Sequence, residues 1–172
     1  PLSAMMMVLV SVVALLASFS SLKSVEQELP GREAFFFTLY LILIAGLNGL
    51  IVTADAFNLY VLLEITSITT YGLVAMGRGR AALSSFNYII MGTIGATFYL
   101  IGVGLVYMMT GTLNLADMEL RVHEVADQKP ILAAAGFITV GLALKAAIFP
   151  LHVWLPNAYT YAPHVVTAFL AA

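Results

Sequence analysis

The sequence has 172 residues, of which 62% are hydrophobic and only 9% are charged, and its formal net charge is −2. With a mean hydropathy of +1.01, this composition excludes an ordinary soluble domain and predicts an integral membrane protein. The sequence has no basic patch of the kind that binds nucleic acid. It also has no cysteine, which excludes disulfides and cysteine-ligated metal sites.

Five apolar segments are long enough to cross a bilayer as helices, which takes about twenty residues. We expect these helices at 2–22, 34–53, 55–76, 86–109 and 130–149. A broken extension at 150–158 and the start of a further helix at 163–172 follow. Between the last two spans, apolar residues recur at helical intervals in the polar segment 114–129, which predicts an amphipathic helix on the membrane surface. The predicted fold class is an all-α membrane protein, with one transmembrane helix bundle formed by residues 1–172.

The ends of the chain suggest a piece of a longer protein. The sequence starts at Pro1 without an initiator methionine, and it stops inside an apolar run, 165–172, that is too short to span a bilayer. We therefore expect a fragment or one half of a split protein. The first apolar segment is long and has no basic residues before it, so we interpret it as a membrane span and not as a signal peptide.

The distribution of basic residues predicts the orientation. The loops at 23–33, 77–84 and 151–163 share one side of the membrane and carry Lys23, Arg32, Arg78 and Arg80. The loops at 53–55 and 112–130 share the other side and carry Arg121 and Lys129. By the positive-inside rule the first set is cytoplasmic, and the start of the first helix lies outside.

Two charged residues lie inside apolar segments, where a charge costs several kcal/mol unless it is paired or solvated. Glu64 lies in the third predicted span and Lys145 near the end of the fifth. Pro150 follows Lys145 and removes a backbone donor, so we expect the helix to break beside the lysine. Irregular backbone at membrane depth is tolerated only inside protein or beside a wet cavity.

Burial disfavours the charged forms of lysine and glutamate, whereas pairing favours both. A Glu64–Lys145 pair that separates and re-forms would therefore release and take up protons, and this is our hypothesis for the two residues. The alternative is a structural ion pair that only locks two helices together.

Several other polar residues are candidates for the same path. Tyr60, Ser67 and Tyr71 fall on the helix face of Glu64 and extend it into a polar stripe. His152 follows Lys145 by seven residues, which puts it on the same helix face if the kink is modest, and histidine is the side chain best suited to proton relay. A hydrogen bond from His152 to a carbonyl at the helix end is the alternative.

Two polar residues near helix ends are further accessory candidates. Asp55 begins the third span, where it is either an accessory group of the path or an N-cap favoured by the helix dipole. His164 is either a second relay group or a polar residue at the start of the last helix. No pattern in the sequence predicts a metal or cofactor site.

Three motifs resemble a known family. The segment 55–64, DAFNLYVLLE, is similar to the DLFNLYVFFE stretch of antiporter-like membrane subunits, which occur in Mrp-type Na+/H+ antiporters and in respiratory complex I. The segment 145–158, KAAIFPLHVWLPNA, resembles the KxxxFPxHxWLPDA signature of that family. The stretch from Asn87-Tyr88 to the turn TGTLN at 110–114 also resembles the family's next helix and turn. The motifs are most similar to those of the Mrp D-type subunit.

The resemblance implies a specific fold and site. The chain would be one of the family's two inverted five-helix repeats, with its broken helix at Pro150. Glu64, Lys145 and His152 would then form part of a proton half-channel along the membrane midplane, without a redox cofactor. Asn157 departs from the family's usual aspartate, and His164 departs from its usual serine or threonine.

The predicted function is proton translocation, through a Glu64–Lys145–His152 half-channel, in a multi-subunit monovalent cation (Na+)/H+ antiporter. The alternative is a proton-pumping membrane subunit of a complex I-like NADH-quinone oxidoreductase or of a membrane-bound hydrogenase. Neither interpretation gives the chain catalytic chemistry of its own. The expected partners are other membrane subunits, the lipid bilayer, protons and Na+, and the expected location is the cytoplasmic membrane of a prokaryote.

Overall fold

The computed structural model describes residues 2–171, which fold into eight α-helices and a 3-10 turn at His123–Val125. The first four helices are α1 (Leu2–Glu28), α2 (Glu33–Val52), α3 (Ala56–Ala75) and α4 (Ala81–Thr110). The others are α5 (Leu115–Val122), α6 (Lys129–Lys145), α7 (Trp154–Tyr161) and α8 (His164–Ala171). Helices α1 to α4 are each long and apolar enough to cross a membrane. The predicted all-α fold class is confirmed. Residues 1 and 172, which the sequence prediction included in the bundle, lie outside the described residues.

The bundle is held together by close helix contacts at small residues. Helices α4 and α6 form the most extensive interface, and α3 packs between α2 and α4. A side chain built on Gly141 of α6 would lie 2.6 Å from the carbonyl oxygen of Gly95 on α4. Such backbone-to-backbone contact is the usual means of helix association in membranes, where apolar side chains gain little from leaving lipid.

Two helices extend into regions that the sequence suggested were loops. α1 continues to Glu28, through most of the predicted loop 23–33, because Val25 and Leu29 are buried in the core. α4 begins at Ala81, inside the predicted loop 77–84, and Ala81 itself is buried. In both cases, burial of apolar side chains in the core extends the helix beyond the apolar span that the sequence predicted.

The connections meet in two groups at opposite ends of the long helices. At one end the backbone near Asp55 pairs with that near Asn114, since Ala56 donates to the Leu113 carbonyl and Leu115 to the Ala54 carbonyl, each across 2.8 Å. At the other end Arg78 donates to the Gln27 carbonyl across 3.3 Å. The backbone of His164 donates to the Glu28 carboxylate there, also across 3.3 Å.

The interruption after α6 begins earlier than the sequence suggested. α6 ends at Lys145, whereas the predicted helix ran to residue 149. Ala147 adopts a left-handed conformation with φ of 51°, and the chain then passes through turns to Trp154. Pro150 cannot supply a backbone donor, so the helix cannot continue through it. The predicted extension 150–158 is a turn followed by the first half of α7.

Candidate functional site

The two charges that the sequence places in apolar segments form an ion pair. Lys145 Nζ lies 3.1 Å from Glu64 Oε1, which joins the end of α6 to the middle of α3. The Lys145 side chain is 12% exposed and that of Glu64 is 23% exposed. Each charge therefore has an opposite charge in contact, which offsets the cost of its burial.

Ser67 is the second partner of the lysine. Lys145 Nζ donates to Ser67 Oγ across 2.6 Å, while Ser67 Oγ donates to the Leu63 carbonyl across 2.6 Å. Ser67 lies one turn after Glu64 on α3, so one helix face supplies both acceptors. The ammonium is thus held between a carboxylate and a hydroxyl.

The predicted polar stripe is only partly assembled around this pair. Tyr71 is buried, its ring packs edge-on against Tyr88, and its hydroxyl has no hydrogen-bond partner among the described residues. Tyr60 packs instead in a separate cluster with Tyr99. Of the stripe residues, only Ser67 is bonded to the Glu64–Lys145 pair.

His152 is not on a helix with Lys145, because α6 ends at the lysine. The shared helix face, which was expected only for a modest kink, is therefore not formed. His152 lies in the turn before α7, with its ring centroid 5.5 Å from that of Phe149. Its Nδ1 is buried without a hydrogen-bond partner among residues 2–171. The alternative role, a hydrogen bond from the ring to a helix-end carbonyl, is not seen for this nitrogen.

The two helix-end candidates lie away from the pair. Asp55 is the N-cap of α3, where its Oδ1 accepts a 2.7 Å hydrogen bond from the Asn58 backbone. His164 is exposed at the start of α8, and its backbone donates to Glu28. Asp55 therefore adopts the capping role that its position favoured.

Two cavities reach Lys145. The first has a volume of about 420 Å³ and lies among α1, α2, α3 and α8, with the side chains of Thr66, Ser67 and Thr70 in its wall. The second has a volume of about 250 Å³ and lies at the break, beside Ala147 and Tyr159. Both are large enough to hold water molecules.

Sequence reasoning missed the aromatic residues that support the break. Trp154 Nε1 donates to the Leu144 carbonyl across 3.2 Å, which satisfies a carbonyl at the end of α6. The Trp154 ring stacks on Tyr88 of α4 with centroids 4.0 Å apart and planes 5° apart. An aromatic side chain in an apolar run carries no signal of its own, although Trp154 lies within the motif at 145–158. Within residues 2–171 no group of histidine, aspartate and glutamate side chains is placed to hold a metal ion.

The apolar helix bundle with a charged pair at a helix break defines a multi-pass membrane protein. The family described as NADH:quinone oxidoreductase/Mrp antiporter, TM, matches residues 53–172. Since this match covers more than half of the chain, the chain belongs to that family.

Individual relatives come from both branches of the family. The chain is 43% identical to NADH-quinone oxidoreductase subunit N of Desulforudis audaxviator, over all of this chain and 34% of that protein. It is 32% identical to the D-type subunit of the Na(+)/H(+) antiporter of Alkalihalophilus pseudofirmus, over 95% of this chain and 33% of that one. The chain therefore spans about a third of the length of these relatives.

A solved structure shares the fold. The archaeal membrane-bound sulfane sulfur reductase, a respiratory membrane complex, contains a chain that superposes with a TM-score of 0.89 at 37% identity. The match covers 96% of this chain and 33% of that one.

Proposed function

We propose that this chain moves protons across the membrane as part of a multi-subunit monovalent cation (Na+)/H+ antiporter, with other membrane subunits as its partners. The observation that carries the proposal is the contact of Lys145 with Glu64 at the point where α6 ends, next to two cavities. A paired charge beside irregular backbone at membrane depth is expected where ions or protons pass.

The chemistry follows from the pair. While Lys145 and Glu64 are in contact, both are stabilised in their charged forms. When they separate, an Nζ–H bond of the ammonium breaks and its proton passes to water, which leaves a neutral amine. The carboxylate gains a proton from water on its own side. On renewed contact the carboxyl O–H bond breaks and its proton binds to the amine, which restores both charges. One cycle therefore moves one proton from the water beside Glu64 to the water beside Lys145.

His152 is the next group of the proposed path. Its unpartnered Nδ1 lies in the segment that follows Lys145, and an imidazole exchanges protons readily near neutral pH. Because the described residues give no hydrogen bond between His152 and Lys145, water is the expected link between them.

A redox-driven proton pump is the second candidate. The observation in its favour is the 43% identity to a relative named NADH-quinone oxidoreductase subunit N, together with the likeness to a chain of a respiratory membrane complex. In that case the same Lys145–Glu64 pair would be driven by electron transfer in neighbouring subunits.

The proposed function includes a location and an orientation for the chain. We place the chain in the cytoplasmic membrane of a prokaryote, with the start of α1 outside. The connections at 23–33, 77–84 and 151–163 would then face the cytoplasm. The basic residues Arg32, Arg78 and Arg80 remain in the short loops on this side, which agrees with the positive-inside rule.

The central test is Glu64→Gln in the assembled complex that contains this chain, measured as proton movement in everted membrane vesicles. We expect proton movement to be lost, because an amide cannot gain or release the proton. Glu119→Gln, on the exposed face of α5, is the matched control and should transport normally. Normal transport by Glu64→Gln would contradict the proposal.

The double variant Glu64→Gln with Lys145→Gln guards against a folding defect, because it leaves no unpaired charge. It should assemble and remain inactive. The two candidate functions differ in their driving force. Sodium-driven proton movement without NADH or another electron donor supports antiport, whereas movement that requires an electron donor supports the redox-driven pump.

A further inference from the structure

The two cavities beside Lys145 share a wall. Three residues line both cavities: Tyr88, Lys145 and Leu170. The larger cavity contains Ser67, the partner of the lysine on α3, whereas the smaller one opens onto the broken backbone at Ala147. Lys145 is therefore the basic residue in the wall between the two cavities, and the two sides of this wall have different surroundings.

Tyr88 is the largest residue of this partition and is held from two sides. Its ring is stacked on Trp154 with a centroid distance of 4.0 Å, and it meets Tyr71 edge-on at 4.5 Å. The three rings come from α7, α4 and α3, so they link the broken segment to the helix that carries Glu64. A ring fixed by such contacts keeps its position better than an aliphatic side chain of many rotamers.

We propose that the Tyr88 ring is a barrier that keeps the two cavities apart, so that Lys145 exchanges protons with water on one side at a time. This inference rests on the proposed proton-transfer role of Lys145. In the first half of the exchange one Nζ–H bond breaks at one cavity, and the proton passes to water as hydronium. In the second half the neutral amine forms a new N–H bond with a proton from hydronium in the other cavity or from the Glu64 carboxyl group. Without the ring, a continuous chain of water would connect the two cavities. Protons would then cross from one cavity to the other without binding to Lys145.

The test is the passive proton conductance of proteoliposomes that contain the purified complex, with a pH step and no driving cation or electron donor. Tyr88→Ala should raise this conductance several-fold, because it joins the cavities, whereas Tyr88→Phe should remain tight, because the ring is kept. Tyr161→Ala is the matched control: it also removes a half-buried tyrosine ring, from α7, but Tyr161 lines neither cavity. It should remain tight.

Three results would overturn the barrier: Tyr88→Ala remaining tight, Tyr88→Phe leaking as much as Tyr88→Ala, or Tyr161→Ala leaking as much as Tyr88→Ala. Tyr88→Leu provides a second variant that fills apolar space without a ring, and it should assemble normally and leak. Tight vesicles containing assembled Tyr88→Leu complex would also count against the barrier.

The conductance measurement separates the barrier from the proposed function. If Glu64→Gln abolishes driven transport while Tyr88→Ala and Tyr88→Leu remain tight, the proposed function stands and the barrier fails. If Glu64→Gln transports normally, the proposed function fails. The barrier then has no role in proton transfer by Lys145, even if the Tyr88 variants raise the passive conductance.

Discussion

Lys145 is the last residue of α6, and its ammonium reaches Glu64 of α3 across 3.1 Å. The position of the ammonium therefore depends on how α6 ends as well as on how α3 and α6 are arranged. A change in the turn after Lys145 would move the charge away from its carboxylate. This relationship connects the conformation of the broken segment to the charge state of the pair.

The first prediction concerns Ser67, which accepts the second hydrogen bond of Lys145. Ser67→Ala should lower driven proton transport several-fold and shift its pH profile, because the lysine loses one of its two acceptors. The expected loss of stability is about 1–3 kcal/mol, as for a buried group that loses its partner. Transport assays over a pH series and thermostability in mild detergent measure both effects.

Thr97→Ala is the control for Ser67→Ala. The Thr97 hydroxyl also donates to the carbonyl four residues earlier, that of Thr93, but it lies on the exposed face of α4. We expect Thr97→Ala to leave the pH profile unchanged. A shift of equal size in the two variants would mean that Ser67 acts only through local helix structure.

The second prediction concerns the end of α6, which Trp154 stabilises. Trp154→Phe keeps an aromatic ring against Tyr88 but removes the hydrogen bond to the Leu144 carbonyl. We expect a stability loss of about 1–3 kcal/mol together with reduced transport, because the carbonyl beside Lys145 loses its partner. Phe149→Ala, in the same segment but 81% exposed, should have a smaller effect on stability. Equal effects would argue against the hydrogen bond.

The third prediction concerns the α4–α6 interface at Gly141. In Gly141→Ala the new methyl group would meet the backbone of Gly95 and Tyr99 at 2.6 and 2.7 Å, and backbone atoms cannot move aside without shifting a helix. We expect impaired assembly or a destabilisation of about 1–3 kcal/mol, the usual result of overpacking. Gly136→Ala on the same helix has open space around it and should be tolerated. Yield and thermostability of the purified complex distinguish the two variants.

The fourth prediction separates the two possible roles of Asp55. If it is only the N-cap of α3, Asp55→Asn should preserve transport, because an asparagine oxygen accepts the same hydrogen bond from Asn58. Asp55→Ala should lower stability by about 1 kcal/mol, as expected for loss of a cap. Loss of transport in Asp55→Asn, with stability retained, would show that the carboxylate itself takes part in proton movement.

The charged pair shows how far sequence reasoning reaches. Glu64 and Lys145 could be singled out because a charge in a long apolar run is costly and demands a partner. The capping role of Asp55 followed from its position before a helical run. The extent of α1 and the exact end of α6 did not follow, because both depend on burial and hydrogen bonds between segments distant in the chain.

The sequence by itself determined the membrane class, the main helices and the two residues of the ion pair, because hydrophobicity and helical spacing are local properties. The tertiary structure decided that α6 ends at Lys145 and that Ser67, but neither Tyr71 nor His152, bonds to the pair. It also decided that Tyr88 lines two cavities and stacks on Trp154. These features arise from contacts between α3, α4, α6 and α7, and such contacts depend on the packed bundle rather than on any single segment.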